Sequence, residues 1–233
     1  MSPVSRLPRV IWWLFLVDAG LVLVHVLLHQ ANDWFSLDQE ANLPTLYQSL
    51  KYYTFGYLAF FNVWLISFYK LLPSVYRFFW GSLGALLIFL GLDELGRIHE
   101  TLRDFIPQSF PFVAVWVARV AEYLHYTGSD WAIYFMPFIL GFLIAAVFWV
   151  RFAYRHYRRR LPLLLTSFAL MLIVPVWEYI GSGGVGSWYP FFGVSEEYFE
   201  MTAISFLAGF VACETRTLLT NLQKVRTRES GRE

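Results

Sequence analysis

The sequence predicts an all-α fold, a membrane-embedded bundle of six transmembrane helices plus one interfacial helix, in a single domain over residues 1–233. Of these residues 58% are hydrophobic and only 15% are charged, which is too apolar for an ordinary soluble domain. Six apolar runs are each long enough, at about 20 residues, to cross a hydrocarbon core. Most of the 18 Lys and Arg residues fall on one side of these runs.

The six spans follow the apolar runs in chain order, with Pro, Gly or polar residues at most of the breaks. Their approximate bounds are 10–29, 54–72, 76–95, 131–150, 161–180 and 201–219. The first run follows Arg6 and Arg9 and could be read as a signal peptide, but it is too long and lacks a small-residue cleavage site. An uncleaved first helix is therefore expected.

The segment 111–126 is predicted to lie at the outer interface. It is short and carries Arg119 and Glu122 near its middle. A seventh span here would move the basic segment 151–160 across the membrane, against the positive-inside rule. Six spans put both termini on the cytoplasmic side and Lys51 among the few cations outside.

Most of the 17 acidic residues then fall on the outer side. One group is LDELGRIHE, residues 92–100, after the third apolar run. If that helix continues, one face carries Asp93, Arg97, Glu100 and Asp104, flanked by Glu94 and His99. Ordinary ion pairs within one helix are the alternative, although a single Arg does not satisfy every acid in the group.

Two further acidic groups belong to other helices. EEYFE, residues 196–200, is predicted to open the last span with Glu196, Glu197 and Glu200 at helical spacing. Carboxylates that simply favour a helix N-terminus are the alternative there. Glu178 ends the fifth span, just before the Gly-rich segment 181–186. These groups are expected to converge at the outer leaflet.

A divalent metal is the favoured explanation for so many carboxylates at membrane depth. The candidate ligands are Asp93, Glu94, His99, Glu100, Glu178, Glu197 and Glu200. A mixed nitrogen and oxygen set favours Zn, Fe or Mn over Ca or Mg. Arg97 and Glu196 are expected to support the ligands or a substrate. A proton-sharing or ion-paired network is the alternative.

The first span places Asp18, His25, His29 and Asn32 on one helical face. His25 and His29 have the HxxxH spacing of a metal pair. Hydrogen bonds from the two His, and pairing of Asp18 with a neighbouring helix, are the favoured interpretation.

Four segments together resemble a functionally uncharacterised family of small bacterial multi-pass membrane proteins with DxExNxPT, LDExxxIHE and EExxEM motifs. They are DQEANLPT (38–45), LDELGRIHE, the Glu at 178 and EEYFEM (196–201). The resemblance implies a bacterial inner membrane location and no particular chemistry. It adds Asp38, Glu40 and Asn42 to the substrate-binding or supporting residues of the site.

The functional hypothesis is an outward-facing carboxylate and histidine site that binds a metal and serves a hydrolase or transferase acting on a lipid-like substrate. A cation- or proton-coupled transporter or sensor is one alternative. A helper subunit of a larger membrane complex is another. The expected partners are membrane lipid and a membrane protein or a second copy of the chain, and no nucleic acid.

Overall fold

The chain is helical throughout this computed structural model, which describes residues 9–28, 33–37, 42–123, 131–182 and 189–230. No strand occurs in these ranges, so the all-α prediction is confirmed for them. Their α-helices are α1 (Arg9–Leu28), α2 (Leu43–Tyr69), α3 (Val75–Gly96), α4 (Ile98–Ser109), α5 (Pro111–Tyr123), α6 (Trp131–His156), α7 (Leu161–Ser182) and α8 (Tyr189–Ser230). A short 3-10 helix, Asp33–Phe35, lies between α1 and α2.

The long helix α8 is the common packing partner of the bundle. It contacts α1, α2 and α7, whereas α2 and α3 form an antiparallel pair beside it. α6 packs on α7, and the shorter α4 and α5 contact each other and α6. Residues from α1, α2 and α8 are therefore brought together inside the bundle.

α2 begins at Leu43, well before the predicted start of the second span at residue 54. The Asn42 side chain caps this helix by accepting a hydrogen bond from the Thr45 N–H at 3.2 Å, and Pro44 lies in the first turn. As a consequence Lys51 is a buried helical residue. Lys51 therefore lies inside the bundle and not in a loop before α2, because the helix starts earlier than its apolar run, and its placement on the outer side stays a prediction.

α8 also begins before its apolar run, at Tyr189 instead of residue 201. The EEYFE segment lies inside α8 and does not open it. The carboxylates of Glu196, Glu197 and Glu200 are consequently half-buried side chains along a helix face and not groups at a helix N-terminus.

The expected continuation of α3 through residues 92–100 is wrong. α3 ends at Gly96, and Arg97 adopts a left-handed conformation with φ of 50° before α4 begins. The Asp93 carboxylate accepts a hydrogen bond from the His99 N–H at 2.8 Å, which stabilises the break. The chain therefore turns at Arg97, and the single face predicted for residues 93, 97, 100 and 104 does not form.

Within the described ranges, three helical segments are long and apolar enough to cross a membrane: α1, α3 and residues Phe191–Lys224 of α8. Shorter apolar stretches occupy Leu140–Ala153 in α6 and Leu161–Trp177 in α7. α1 exposes large apolar side chains such as Trp13 and Leu27. An exposed apolar surface of this kind is typical of contact with lipid.

Glycines allow α2 and α3 to approach closely. A Cβ atom built at Gly84 would lie 3.1 Å from the Gly56 carbonyl oxygen, and one built at Gly91 would lie 2.8 Å from the Tyr53 ring. Small residues at such crossings let helix backbones come into van der Waals contact within a membrane. The α2–α3 pair thus holds Tyr52 on α2 beside the end of α3.

An aromatic cluster joins α3 and α8 to the turn that follows α6. Trp80 stacks on Phe210 with ring centres 5.7 Å apart, and its indole N–H donates to the Tyr157 hydroxyl at 3.1 Å. Burial raises the pKa of Tyr157 well above its ordinary value, so this hydroxyl stays protonated. The cluster fixes the N-terminal end of α3 against the rest of the bundle.

Replacing Gly84 with Ala is expected to lower the free energy of unfolding by about 1 to 3 kcal/mol relative to Gly141→Ala, because the new methyl group meets the α2 backbone. Gly141 has no atom within 4 Å of a built Cβ, so Ala there gains helix propensity without a clash. Denaturant titration of Trp fluorescence in detergent micelles measures both variants. Equal stabilities would contradict the close approach of α2 and α3.

Candidate functional site

A buried ion pair between α1 and α2 lies at the centre of the site. The Lys51 ammonium is 2.8 Å from the Asp18 carboxylate, and the two side chains are 3% and 0% exposed. Ser205 of α8 donates to the same carboxylate at 2.6 Å, and the Tyr47 hydroxyl donates to it at 2.9 Å. Lys51 also donates to the Met201 carbonyl at 2.8 Å. The pair therefore connects α1, α2 and α8.

This arrangement agrees with the favoured interpretation of Asp18 as the partner of a neighbouring helix. The identity of the partner was missed because Lys51 precedes the second apolar run. The sequence did contain a signal for it, since Asn-Leu-Pro-Thr at residues 42–45 is a helix start with a cap and an early Pro. A helix that starts there puts Lys51 more than two turns inside.

Carboxylates gather next to this pair around Tyr52. The Tyr52 hydroxyl donates to Glu200 of α8 at 2.8 Å. Glu94 of α3 and Glu197 of α8 are close enough to interact electrostatically with the same hydroxyl, and Glu94 and Glu200 act similarly on the Lys51 ammonium. Three residues predicted for the site, from two helices, thus act electrostatically on one residue of α2, and Glu200 contacts it directly. We call the residues Tyr52, Glu94, Glu197 and Glu200 the acidic cluster.

The remaining residues of the 92–100 stretch have local partners. The His99 ring Nδ1 lies 3.2 Å from the Asp93 carboxylate, whose second oxygen accepts from the His99 backbone. Arg97 forms an ion pair with Glu100. The Arg97–Glu100 pair is one that the alternative of local ion pairs predicted, whereas the Asp93–His99 contact spans the break between α3 and α4.

Asn42 and His25 have structural contacts with the segment between α1 and α2. Asn42 donates from its side chain to the Ser36 carbonyl oxygen, in addition to capping α2. His25 Nδ1 accepts a hydrogen bond from the Leu37 N–H at 2.9 Å. His29, Asn32, Asp38 and Glu40, together with the side chain of Glu178, lie outside the part of the chain that the structure describes.

Among the side chains that the structure describes, no group of three or more His, Cys, Asp or Glu residues has a geometry that could hold a metal ion. The metal site therefore stays a prediction. On the same helix as Tyr52, the buried Gln48 amide has no hydrogen-bond partner among the described residues. Gln48 lies one turn before Tyr52, and such an orphaned amide calls for a water or polar ligand.

Replacing Lys51 with Met is expected to lower the free energy of unfolding by about 3 to 5 kcal/mol, because Asp18 is left buried without its counter-charge. The double variant Asp18→Asn, Lys51→Met is expected to recover most of that loss. Denaturant titration of the native protein, both single variants and the double variant measures the coupling. Additive losses in the double variant would show that the two charges do not stabilise each other.

Comparison with known proteins identifies a family but no function. The chain matches no curated protein sequence and no solved structure. Residues 10–213 match the sequence model of a domain of unknown function, DUF8692, and this range contains both the buried ion pair and the acidic cluster. The chain therefore belongs to the DUF8692 family.

Proposed function

We propose that the chain is a proton-responsive membrane protein, a transporter or sensor, in which the acidic cluster exchanges protons and the Asp18–Lys51 pair transmits the change. The hydrogen bond from Tyr52 to Glu200, adjacent to the buried ion pair, is the observation that carries the proposal. Ionisable groups inside a helical bundle are expensive, and they mark ion or proton pathways by default.

Glu200 is the group best suited to take up the proton. The direct contact of the Lys51 ammonium is with Asp18, whereas Glu200 accepts from the neutral Tyr52 hydroxyl. A hydroxyl can donate to a carboxylate or accept from a carboxylic acid. Tyr52 can therefore satisfy Glu200 in both protonation states.

Protonation of Glu200 would alter the environment of Lys51. The Lys51 ammonium interacts electrostatically with Glu200 and bonds the carbonyl of the next residue, Met201. Loss of the negative charge on Glu200 removes one attraction that holds Lys51 toward α8 and leaves Asp18 as its direct partner. The balance of forces between α1, α2 and α8 would then depend on pH.

The membrane placement proposed with this function is the one predicted from the sequence. It has six spans in a bacterial inner membrane, both termini in the cytoplasm and the acidic cluster facing outward. The three long apolar helices and the lipid-like exposure of α1 support a membrane location. The basic segment 151–160 supports the orientation through the positive-inside rule.

Infrared difference spectroscopy of the reconstituted protein between neutral and acidic pH is expected to show a protonated carboxyl C=O band that Glu200→Gln removes. Glu122→Gln, on an exposed position of α5, is the matched control and is expected to keep the band. Proton flux into liposomes, followed with an internal pH dye, then separates the two functions. A transporter is expected to acidify the liposome interior, whereas a sensor is expected to leave the internal pH unchanged.

A band that survives in Glu200→Gln, or that disappears equally in Glu122→Gln, would overturn the assignment of Glu200. Tyr52→Phe provides a second check, because it removes the hydrogen bond while leaving the carboxyl group. The band is expected to shift in that variant, as its hydrogen-bond partner has been lost.

A metal-dependent hydrolase or transferase acting on a lipid-like substrate is the second candidate. The electrostatic interaction of Glu94, Glu197 and Glu200, from two helices, with the one Tyr52 hydroxyl supports it, since carboxylates from separate helices are the usual source of metal ligands in bundles. Asp93, His99, Glu100 and Glu178 would have to complete the predicted ligand set.

Elemental analysis of detergent-purified protein tests this candidate directly. Stoichiometric Zn, Fe or Mn that is lost in a folded His99→Ala, Glu200→Ala double variant is the result expected of a metal enzyme. Equal and substoichiometric metal in both proteins would exclude it and leave the proton-responsive function.

A further inference from the structure

A second set of charged side chains lies at the end of the bundle that holds the aromatic cluster, at the turn between α6 and α7. A cavity of about 860 Å³ opens there. Its basic lining residues are Arg155, Arg158, Arg159 and Arg160, and α8 contributes Thr217 and Asn221. This basic cavity has no part in the proposed proton-responsive site.

The charge of Arg160 is already balanced within the bundle. Its guanidinium forms an ion pair with the buried Glu214 and donates to the Thr217 hydroxyl at 2.8 Å. Glu214 is the one acidic residue that lines the cavity, among the residues that the structure describes. Arg155 and Arg159 are exposed at the cavity, so its lining carries a net positive charge.

An apolar groove of about 650 Å³ runs between α3 and α6 toward the same end. Phe78, Ile144 and Phe148 line it and are largely exposed. Its polar boundary consists of Arg151, Arg155 and the Ser82 hydroxyl. Arg155 lines both the groove and the basic cavity, so the two spaces meet at its side chain.

We propose that this junction binds an anionic phospholipid. One acyl chain would lie in the groove against Phe78, Ile144 and Phe148, the phosphate would lie between Arg151 and Arg155, and the head group would extend into the basic cavity. The charges carry the assignment, because guanidinium groups bind phosphate oxygens through paired hydrogen bonds. Basic pockets between helices at the cytoplasmic boundary are typical sites for anionic head groups.

The occupant is a phospholipid and not a free phosphate because the groove offers aromatic and aliphatic surface continuous with the arginines. A soluble anion would leave that surface unused. A lipid without a net negative charge would fit the groove but would leave the charges of Arg151 and Arg155 without an anionic partner in the site. The two features together select a molecule that has an acyl chain and a negative head group.

Native mass spectrometry and microscale thermophoresis of the full chain in detergent test the site. The measured quantity is the dissociation constant of each of three probes, phosphatidylglycerol, phosphatidylcholine and inorganic phosphate. Arg151→Gln, Arg155→Gln is expected to weaken phosphatidylglycerol binding about tenfold or more, from the loss of two charge-assisted contacts. Arg77→Gln, Lys224→Gln is the control, since it removes the same charge without touching either space and is expected to have little effect.

Gly141→Trp tests the groove independently of charge. Gly141 lines the groove and has no atom within 4 Å of a built Cβ, so a side chain there starts in open space and the indole is expected to occupy the groove. It is expected to weaken phosphatidylglycerol binding and leave the melting temperature unchanged.

Equal binding of phosphatidylglycerol and phosphatidylcholine would overturn the proposal, as would equal losses in the double arginine variant and its control. Inorganic phosphate binding as tightly as the lipid, with no effect of Gly141→Trp, would assign the arginines to a soluble anion instead. If the double arginine variant does not fold, the groove variant and the three probes still decide the outcome.

Discussion

The ion pair between Asp18 and Lys51 is the constraint on which the rest of the bundle depends. Both charges are removed from solvent, and the cost of desolvating them is offset only because other groups complete their hydrogen bonds. Ser205 and Tyr47 donate to the carboxylate and Met201 accepts from the ammonium. These five groups come from three helices, so a shift of α1, α2 or α8 by one residue would leave a buried charge without its partners.

α8 carries polar contacts at both ends of the bundle. Glu200 accepts from Tyr52 near one end, and Glu214 pairs with Arg160 near the other. The two carboxylates are separated by 14 residues of continuous helix, or about 21 Å along its axis. The helix is otherwise well packed, with Phe210 and Val211 fully buried between these points. A displacement of α8 at the acidic cluster would therefore be carried rigidly to the basic cavity.

The sequence predicts α1, α3 and α7 to within two residues at each end, because each coincides with an apolar run of membrane-spanning length. It fails where a helix extends beyond its apolar run, as α2 does through Gln48 and Lys51. The break at Arg97 was missed because Gly96 alone is compatible with a continuing helix. The charge density of these segments predicts that Glu94, Glu197 and Glu200 meet at one site, and this stays a prediction. The local bond between Asp93 and His99 depends on a turn that spacing does not reveal.

The early start of α2 has a consequence for how the protein is made. α2 is not among the segments apolar enough to cross a membrane by themselves, since its buried face includes Gln48, Lys51 and Asn62. A segment of this kind partitions poorly into lipid when it leaves the translocon alone. Two neighbours offset this poor partitioning. The Asp18 carboxylate on α1, which is synthesised first, pairs with Lys51, and α3, which is synthesised next, covers the glycine-containing face of α2. If α2 spans the membrane as proposed, α1, α2 and α3 would insert as a cohort, with α2 retained beside the translocon until its neighbours emerge.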